Sequence, residues 1–211
     1  MKTNTQKILS LTIAGITLSG ACTPDKHKNK QADAKSDTTI RSPAKSPYVT
    51  VNTWLDDFRN FRTAVYQNDV QKLKTYFSFP VNADTTQVCN IVYDNADDSK
   101  RPETYPGTFT ERDFEKHHRA VFTHAFIKSL LKVKSEQLAQ KGEYTTPKVK
   151  ESYVMIANYD KANATLQLSV SYSGDTDENG NYVSESEYAV IYFFKVQNNK
   201  FLKFDKILFA G

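Results

Sequence analysis

The chain has 211 residues, a formal net charge of +4 at pH 7, and 39% hydrophobic residues. The charge is uneven: residues 1–21 carry +2, residues 22–46 carry +3, and residues 47–211 are left at −1. A nearly neutral C-terminal part lacks the clustered basic surface that nucleic-acid binding needs, and its length suits one folded domain.

Lys2 and Lys7 precede an apolar stretch, Ile8–Leu18, and the small residues Ser19-Gly20-Ala21. These are the parts of a secretory signal over residues 1–21, with an apolar run too short to span a bilayer. Gly20-Ala21-Cys22 resembles the lipobox of bacterial lipoproteins. The resemblance implies that Cys22 is acylated and becomes the N-terminus, anchoring the protein to a membrane of the cell envelope. Thr23 after the cysteine, by the same resemblance, directs it to the outer membrane, facing the periplasm or the cell surface. Ser19-x-Ala21 also fits ordinary cleavage after Ala21. Residues 22–46 contain one large apolar residue, Ile40, and no periodicity, so they read as a disordered tether that cannot bury enough surface to fold. Acylation of Cys22 leaves Cys89 without a disulfide partner. Its apolar context, Val88–Val92, suits a small buried hydrophobe rather than a reactive thiol.

Residues 47–211 read as a single α+β domain. Trp54, Phe58, Phe61 and Val65 are spaced i, i+4, i+7, i+11, which predicts an amphipathic helix over Asn52–Tyr66. Asp56 and Asp57 suit the positive end of its dipole. Asn68 ends it, and Asp69 caps a short helix over Val70–Phe77. Pro80 then turns the chain extended. Gln87–Tyr93 reads as a strand. Asp94–Thr108 is polar, with two prolines and a glycine, and reads as a long loop: a lid, a partner contact or a surface insertion.

Thr110 and Asp113 occupy the positions of a capping box, with Phe109 and Phe114 as a hydrophobic staple. A helical stretch follows to about residue 133, broken near Thr123. Ser135–Gln140 adds a turn before Gly142 stops it. Asp113 and His117 are i, i+4, and His117 and His124 are i, i+7, so these residues and His118 are candidates for an acid/base pair or a metal site. The row lacks the H-E-x-x-H pattern and a third ligand, and it also fits structural histidines at or near the surface.

The C-terminal run reads as four antiparallel strands: Val149–Tyr159, Ala164–Ser173, Glu185–Val196 and Phe201–Phe209. Tyr188–Val196 is apolar in both alternating sets, which predicts a central strand covered on both faces. Asp175-Thr176-Asp177-Glu178-Asn179-Gly180 matches the first six positions of an EF-hand loop, making Asp175, Asp177 and Asn179 candidate calcium ligands. Ser186 stands at the twelfth position and no helices flank the string. As a hairpin tip, Asn179-Gly180 suits a type I′ turn.

Ala64-x4-Asp69-x3-Leu73-x3-Phe77, then Pro80, with helices first and a long antiparallel meander after, resembles the nuclear transport factor 2-like (cystatin-like cone) superfamily over most of residues 50–210. Residues 82–108 depart from its spacing. The resemblance implies helices packed on a curved sheet of four to six strands. The resulting cone holds an active site in some members and a binding surface in others. The chain carries 13 Phe, 12 Tyr and 1 Trp, which suit the core and sheet faces, with some available to line a pocket. No G-x-S-x-G or G-x-G-x-x-G string is present, and no cofactor is implied. The expected function is a membrane-tethered, non-enzymatic binding module for a small apolar ligand or an envelope protein. The alternative is a small-molecule enzyme, an isomerase, dehydratase or hydrolase, using a His/carboxylate pair from Asp113, His117, His118 and His124, with a tyrosine as a further candidate, in the cone cavity.

Overall fold

Thr53 takes an extended conformation and accepts the Asp56 N–H, while the Asp56 carboxylate accepts the Thr53 N–H. This reciprocal capping box starts helix α1, Trp54–Gln67, and Asn68 ends it with a φ of 55°. Trp54, Phe58, Phe61 and Val65 are all buried, as their spacing predicts. The computed structural model describes residues 46–94, 99, 101–149, 153–174, 177–181, 183–184 and 187–211. The expected signal, Cys22, nearly all of the tether, and Asp175 lie outside them. The described residues belong to one compact unit, Ala44–Gly211, which holds the whole described core.

Asp69 caps α2, Val70–Lys74, by accepting the Lys72 N–H; the chain then continues to Phe77 in tight turns rather than as helix. Strand β1, Val81–Asn82, follows the cis Phe79–Pro80 bond. The predicted strand at Gln87–Tyr93 is instead a helix, α3, Val88–Tyr93. Val88, Ile91 and Val92 are buried at i, i+3, i+4, a helical spacing. In a run this short the β-branched composition cannot be told from a strand by pattern alone. Strand β2, Thr108–Phe109, pairs with β1. Thr110 and Asp113 form the expected capping box at the start of α4, Glu111–Val121. The break falls at Thr123, whose hydroxyl caps α5, His124–Leu130. Helix α6, Ser135–Lys141, ends at Gly142 with a φ of 79°.

Five strands then form one antiparallel sheet in sequence order: β3, Glu143–Thr145; β4, Tyr153–Asp160; β5, Thr165–Tyr172; β6, Tyr188–Gln197; β7, Phe201–Ala210. The protein is therefore α+β, with helices packed on a five-stranded sheet. Phe61 links the layers. Its ring meets Tyr76 at 5.1 Å, Phe122 at 5.6 Å and Phe194 at 5.0 Å, each edge-on, an arrangement that adds to plain burial.

β6 is not central and is not covered on both faces. It lies one strand from the edge, and Val190, Tyr192, Phe194 and Val196 are buried while Ala189, Ile191 and Phe193 are only half-buried. The core lies on a single face. On the other, Ile156, Ser169, Ile191 and Leu208 align in one cross-strand row.

β7 is an edge strand, and its outward N–H groups need acceptors. Leu202 donates to Asp57 Oδ2 at 2.8 Å, Phe204 to the Tyr76 carbonyl at 2.7 Å, Ile207 to Thr86 Oγ1 at 2.8 Å, and Phe209 to Gln87 Oε1. The parity changes between Phe204 and Ile207 because the register to β6 slips at Phe193/Phe194, leaving Asp205 as the extra residue. The bulge keeps Leu202, Phe204 and Ile207 all facing the core.

The positive-φ pair of a type I′ turn is Asn198-Asn199, with φ of 51° and 55°, between β6 and β7. At the expected site only Gly180, at 81°, has positive φ. Gly180 donates to the Asp177 carbonyl, and Asp177 to the Asn181 carbonyl. That is a three-residue loop with glycine in the left-handed position, so the two-residue reading is corrected.

Asp57 is buried, and accepts from the Tyr76 hydroxyl at 3.2 Å as well as from Leu202. Burial pushes its carboxyl above the usual carboxylate range, opposed by the Leu202 N–H and the positive charge of Lys72. A raised folded-state value means that Asp57 favours folding least once ionised, so its contribution falls as pH rises from the unfolded value through the folded one. Asp57→Asn keeps an acceptor for Leu202 and is expected to remove that pH dependence. Asp57→Ala strands the Leu202 N–H and is expected to be less stable than Asp57→Asn by about 1–3 kcal/mol. Urea unfolding of both variants across pH 4–7 checks this; equal stabilities would show that the bond does not hold β7 to α1.

Candidate functional site

At one end of the sheet, three tyrosines stand side by side on neighbouring strands. Tyr153 pairs with Tyr172, and Tyr172 with Tyr188. The Tyr172 and Tyr188 rings stack at 4.3 Å and 9°, and Tyr153 lies 5.6 Å from Tyr172. Tyr172 and Tyr188, with Val190 and Phe209, form one wall of a pocket of about 550 Å³. Ile91 and Asp94 from the α3 end, and Ala120 and Thr123 from the α4–α5 break, form the other. The volume falls in the range of small-molecule sites. Tyr188 is 47% exposed at the mouth. Burial, aided by Tyr188, pushes the Tyr172 hydroxyl up to about 12, with a hydrogen bond to Thr123 opposing. It therefore stays a neutral phenol at physiological pH.

Asp94 accepts the Tyr105 hydroxyl, and Tyr105 stacks on Tyr93 at 5.7 Å. The predicted loop thus lies beside this pocket at its two ends, while residues 95–98 and 100 lie outside the described ones. Cys89 is buried, with burial pushing its thiol up, as its apolar context predicts.

The four acid/base candidates divide. His118 and His124 line a cleft of about 330 Å³ between α1, α2, α4 and α5, with Val65, Leu73, Phe122 and Ile127 as its apolar walls. His118 Nε2 meets Asn68 Oδ1 at 3.0 Å and its Nδ1 meets the Glu115 carbonyl at 3.0 Å. The break at Thr123 turns α5 so that His124 faces the same cleft as His118. Asp113 and His117 do not join them. Asp113 Oδ2 is taken by the N–H of Thr110 at 2.9 Å and its hydroxyl at 2.6 Å, and His117 lies edge-on to Tyr93 at 5.5 Å. No hydrogen bond joins Asp113 to His117 among the described residues. The shared helix face brings a carboxylate near, but the capping box holds it.

Of the calcium candidates, Asp177 is spent on its own turn. Its Oδ1 accepts the N–H of Asn179 at 2.9 Å and of Asn181 at 2.7 Å. Its Oδ2 accepts from Asn181 Nδ2 at 3.1 Å. Asp175 lies outside the described residues. Among those described, no group of three or more His, Cys, Asp or Glu side chains is arranged to hold a metal ion. Nor is any helix long and apolar enough to cross a membrane.

The tyrosine row was missed at the sequence level. The signal was available: Tyr153, Tyr172 and Tyr188 fall at strand ends that antiparallel pairing of successive strands brings side by side. The chain matches no family model, and comparisons with curated proteins and with solved structures return no match.

Burial and the positive charge of Lys116 push His117 below its ordinary value of 6.5, against the pull of Asp113. An NMR titration is expected to give His117 a midpoint below 6.5, and Asp113→Asn to lower it further while keeping an acceptor for Thr110. An unchanged midpoint in Asp113→Asn would show that the two groups do not sense each other.

Proposed function

We propose that this chain is a lipid-anchored protein of the bacterial cell envelope whose folded unit binds a small, mostly apolar ligand and does no chemistry on it. The observation that carries the binding reading is the tyrosine-walled pocket of about 550 Å³ between the sheet end and the α4–α5 break. Its walls are largely aromatic and aliphatic, with the tyrosine hydroxyls, Thr123 and Asp94 as their polar groups; Thr123 also caps α5 and Asp94 also accepts from Tyr105. The anchor reading rests on Lys2, Lys7, the apolar run to Leu18 and Cys22 after Gly20-Ala21. The nuclear transport factor 2-like resemblance, with its cavity between helices and sheet, agrees with a ligand held there.

The enzymatic reading is weaker because no histidine is among the described residues lining the pocket, Asp94 already accepts from Tyr105, and burial holds the Tyr172 hydroxyl protonated. Docking of an envelope protein is the second reading. It is favoured by the open sheet face, where Ile156 is 41% exposed and shares a row with Ile191 and Leu208.

Native mass spectrometry of the protein purified from its host envelope is expected to show a co-purified small mass. Ala120→Phe, which projects a ring into the pocket, is expected to lose that mass while keeping the far-UV circular dichroism of the parent. A bare protein mass from both would favour the docking reading. Separately, Cys22→Ser is expected to move the protein from the membrane fraction to the soluble one, and full retention on membranes would refute the lipid anchor.

A further inference from the structure

The cleft between α1, α2, α4 and α5 shares no lining residue with the tyrosine-walled pocket. Its chemistry is also different. Val65, Leu73 and Phe122 are buried in its apolar floor, and Ile127 closes one side. His118, Arg119 and His124 stand around it, and no acidic residue lines it among the described residues. Arg119 makes no ion pair or hydrogen bond among the described residues. The nearest acids on α4 are already engaged: Glu111 and Glu115 both hold Lys74, at 2.8 and 2.6 Å. Tyr66, 68% exposed, adds an aromatic surface at the edge.

We infer that this cleft is a second ligand site and that its occupant is an amphipathic anion, a small carboxylate on an unbranched apolar chain. The chain would lie on Leu73, Phe122 and Ile127. The carboxylate would meet Arg119, whose planar guanidinium offers two parallel donors to such a group. His124 offers a second donor, its ring making no hydrogen bond among the described residues. Both ring nitrogens of His118 already face the oxygens of Asn68 and Glu115, so His118 shapes the rim and does not bond the ligand. A neutral apolar molecule would gain no bond from the exposed Arg119, and a cation would be repelled by it. The anion is what answers both the wall and the rim.

His118 and Arg119 also lie in the last turn of α4, where a cation stabilises the negative end of a helix. The test separates the two roles. Isothermal titration calorimetry of Ala44–Gly211, the unit that carries its own core, uses three probes of equal chain length: sodium octanoate, octan-1-ol and octylammonium chloride. Saturable one-to-one binding of octanoate is expected, with octylammonium silent. Losing a charge-assisted bond weakens binding by about tenfold or more, so octan-1-ol with the parent, and octanoate with Arg119→Gln, should fall at least that far. Tyr188→Ala, at the other pocket, should leave octanoate binding unchanged. No octanoate heat at millimolar concentration overturns the proposal. So does equal affinity for octanoate and octan-1-ol, or binding lost in Tyr188→Ala. If Arg119→Gln lowers thermal stability but not octanoate affinity, Arg119 serves the helix end alone and the proposal also fails.

Discussion

The outer edge of β7 carries N–H groups that have no further strand to bond, and an unpaired donor in a protein interior is costly. Four groups from the helical half meet them: the Asp57 carboxylate, the Tyr76 carbonyl, the Thr86 hydroxyl and the Gln87 side chain. This requirement sets where α1, the turn after α2, and the start of α3 lie against the sheet. It also explains a buried acid in a mainly aromatic core. Asp57 is retained there because it accepts from Leu202 and Tyr76 together. The bulge at Asp205 belongs to the same solution. It lets the last strand keep its apolar side chains inward while its outward donors change parity.

With the helices spent on one face and one edge, the sheet has a single covered side. The tyrosine-walled pocket follows from that layering, and the histidine-rimmed cleft from the helices alone. The first opens where the sheet extends to Tyr172 and Tyr188 beyond the break at Thr123, so the two layers part. The second opens where α4 and α5 diverge and α1 and α2 meet them from the other side. Thr123 is common to both outcomes, because capping α5 ends one helix direction and begins another. The enzymatic candidates are separated by the same helix: Asp113 serves the start of α4 while His118 faces the cleft at its end.

Much of the helical half was legible because its signals are local. The Thr110–Asp113 box, the Asp69 cap, the break near Thr123 and the stop at Gly142 each depend on side chains bonding backbone groups a few residues away. The stripe from Trp54 to Val65 was legible because helical periodicity needs no partner to be seen. Gln87–Tyr93 was misread because seven residues do not separate a period of two from one of 3.6, and what decides the matter is packing against α4 and β7. Asn198-Asn199 and Asn179-Gly180 carry similar turn chemistry. Loop length and strand register selected the first for two successive left-handed residues.

The sequence by itself determined the α+β class, the positions and caps of most helices, the four long strands and the apolar stripe that enters the core. These follow from bonds and periodicities within a few residues. Only the tertiary structure decided which face of β6 is buried, which acid is spent on a cap or an edge strand, and which of the histidines and tyrosines share a cavity. Those outcomes depend on how residues more than a hundred positions apart, such as Asp57 and Leu202, satisfy one another when the layers close. No local pattern encodes that choice.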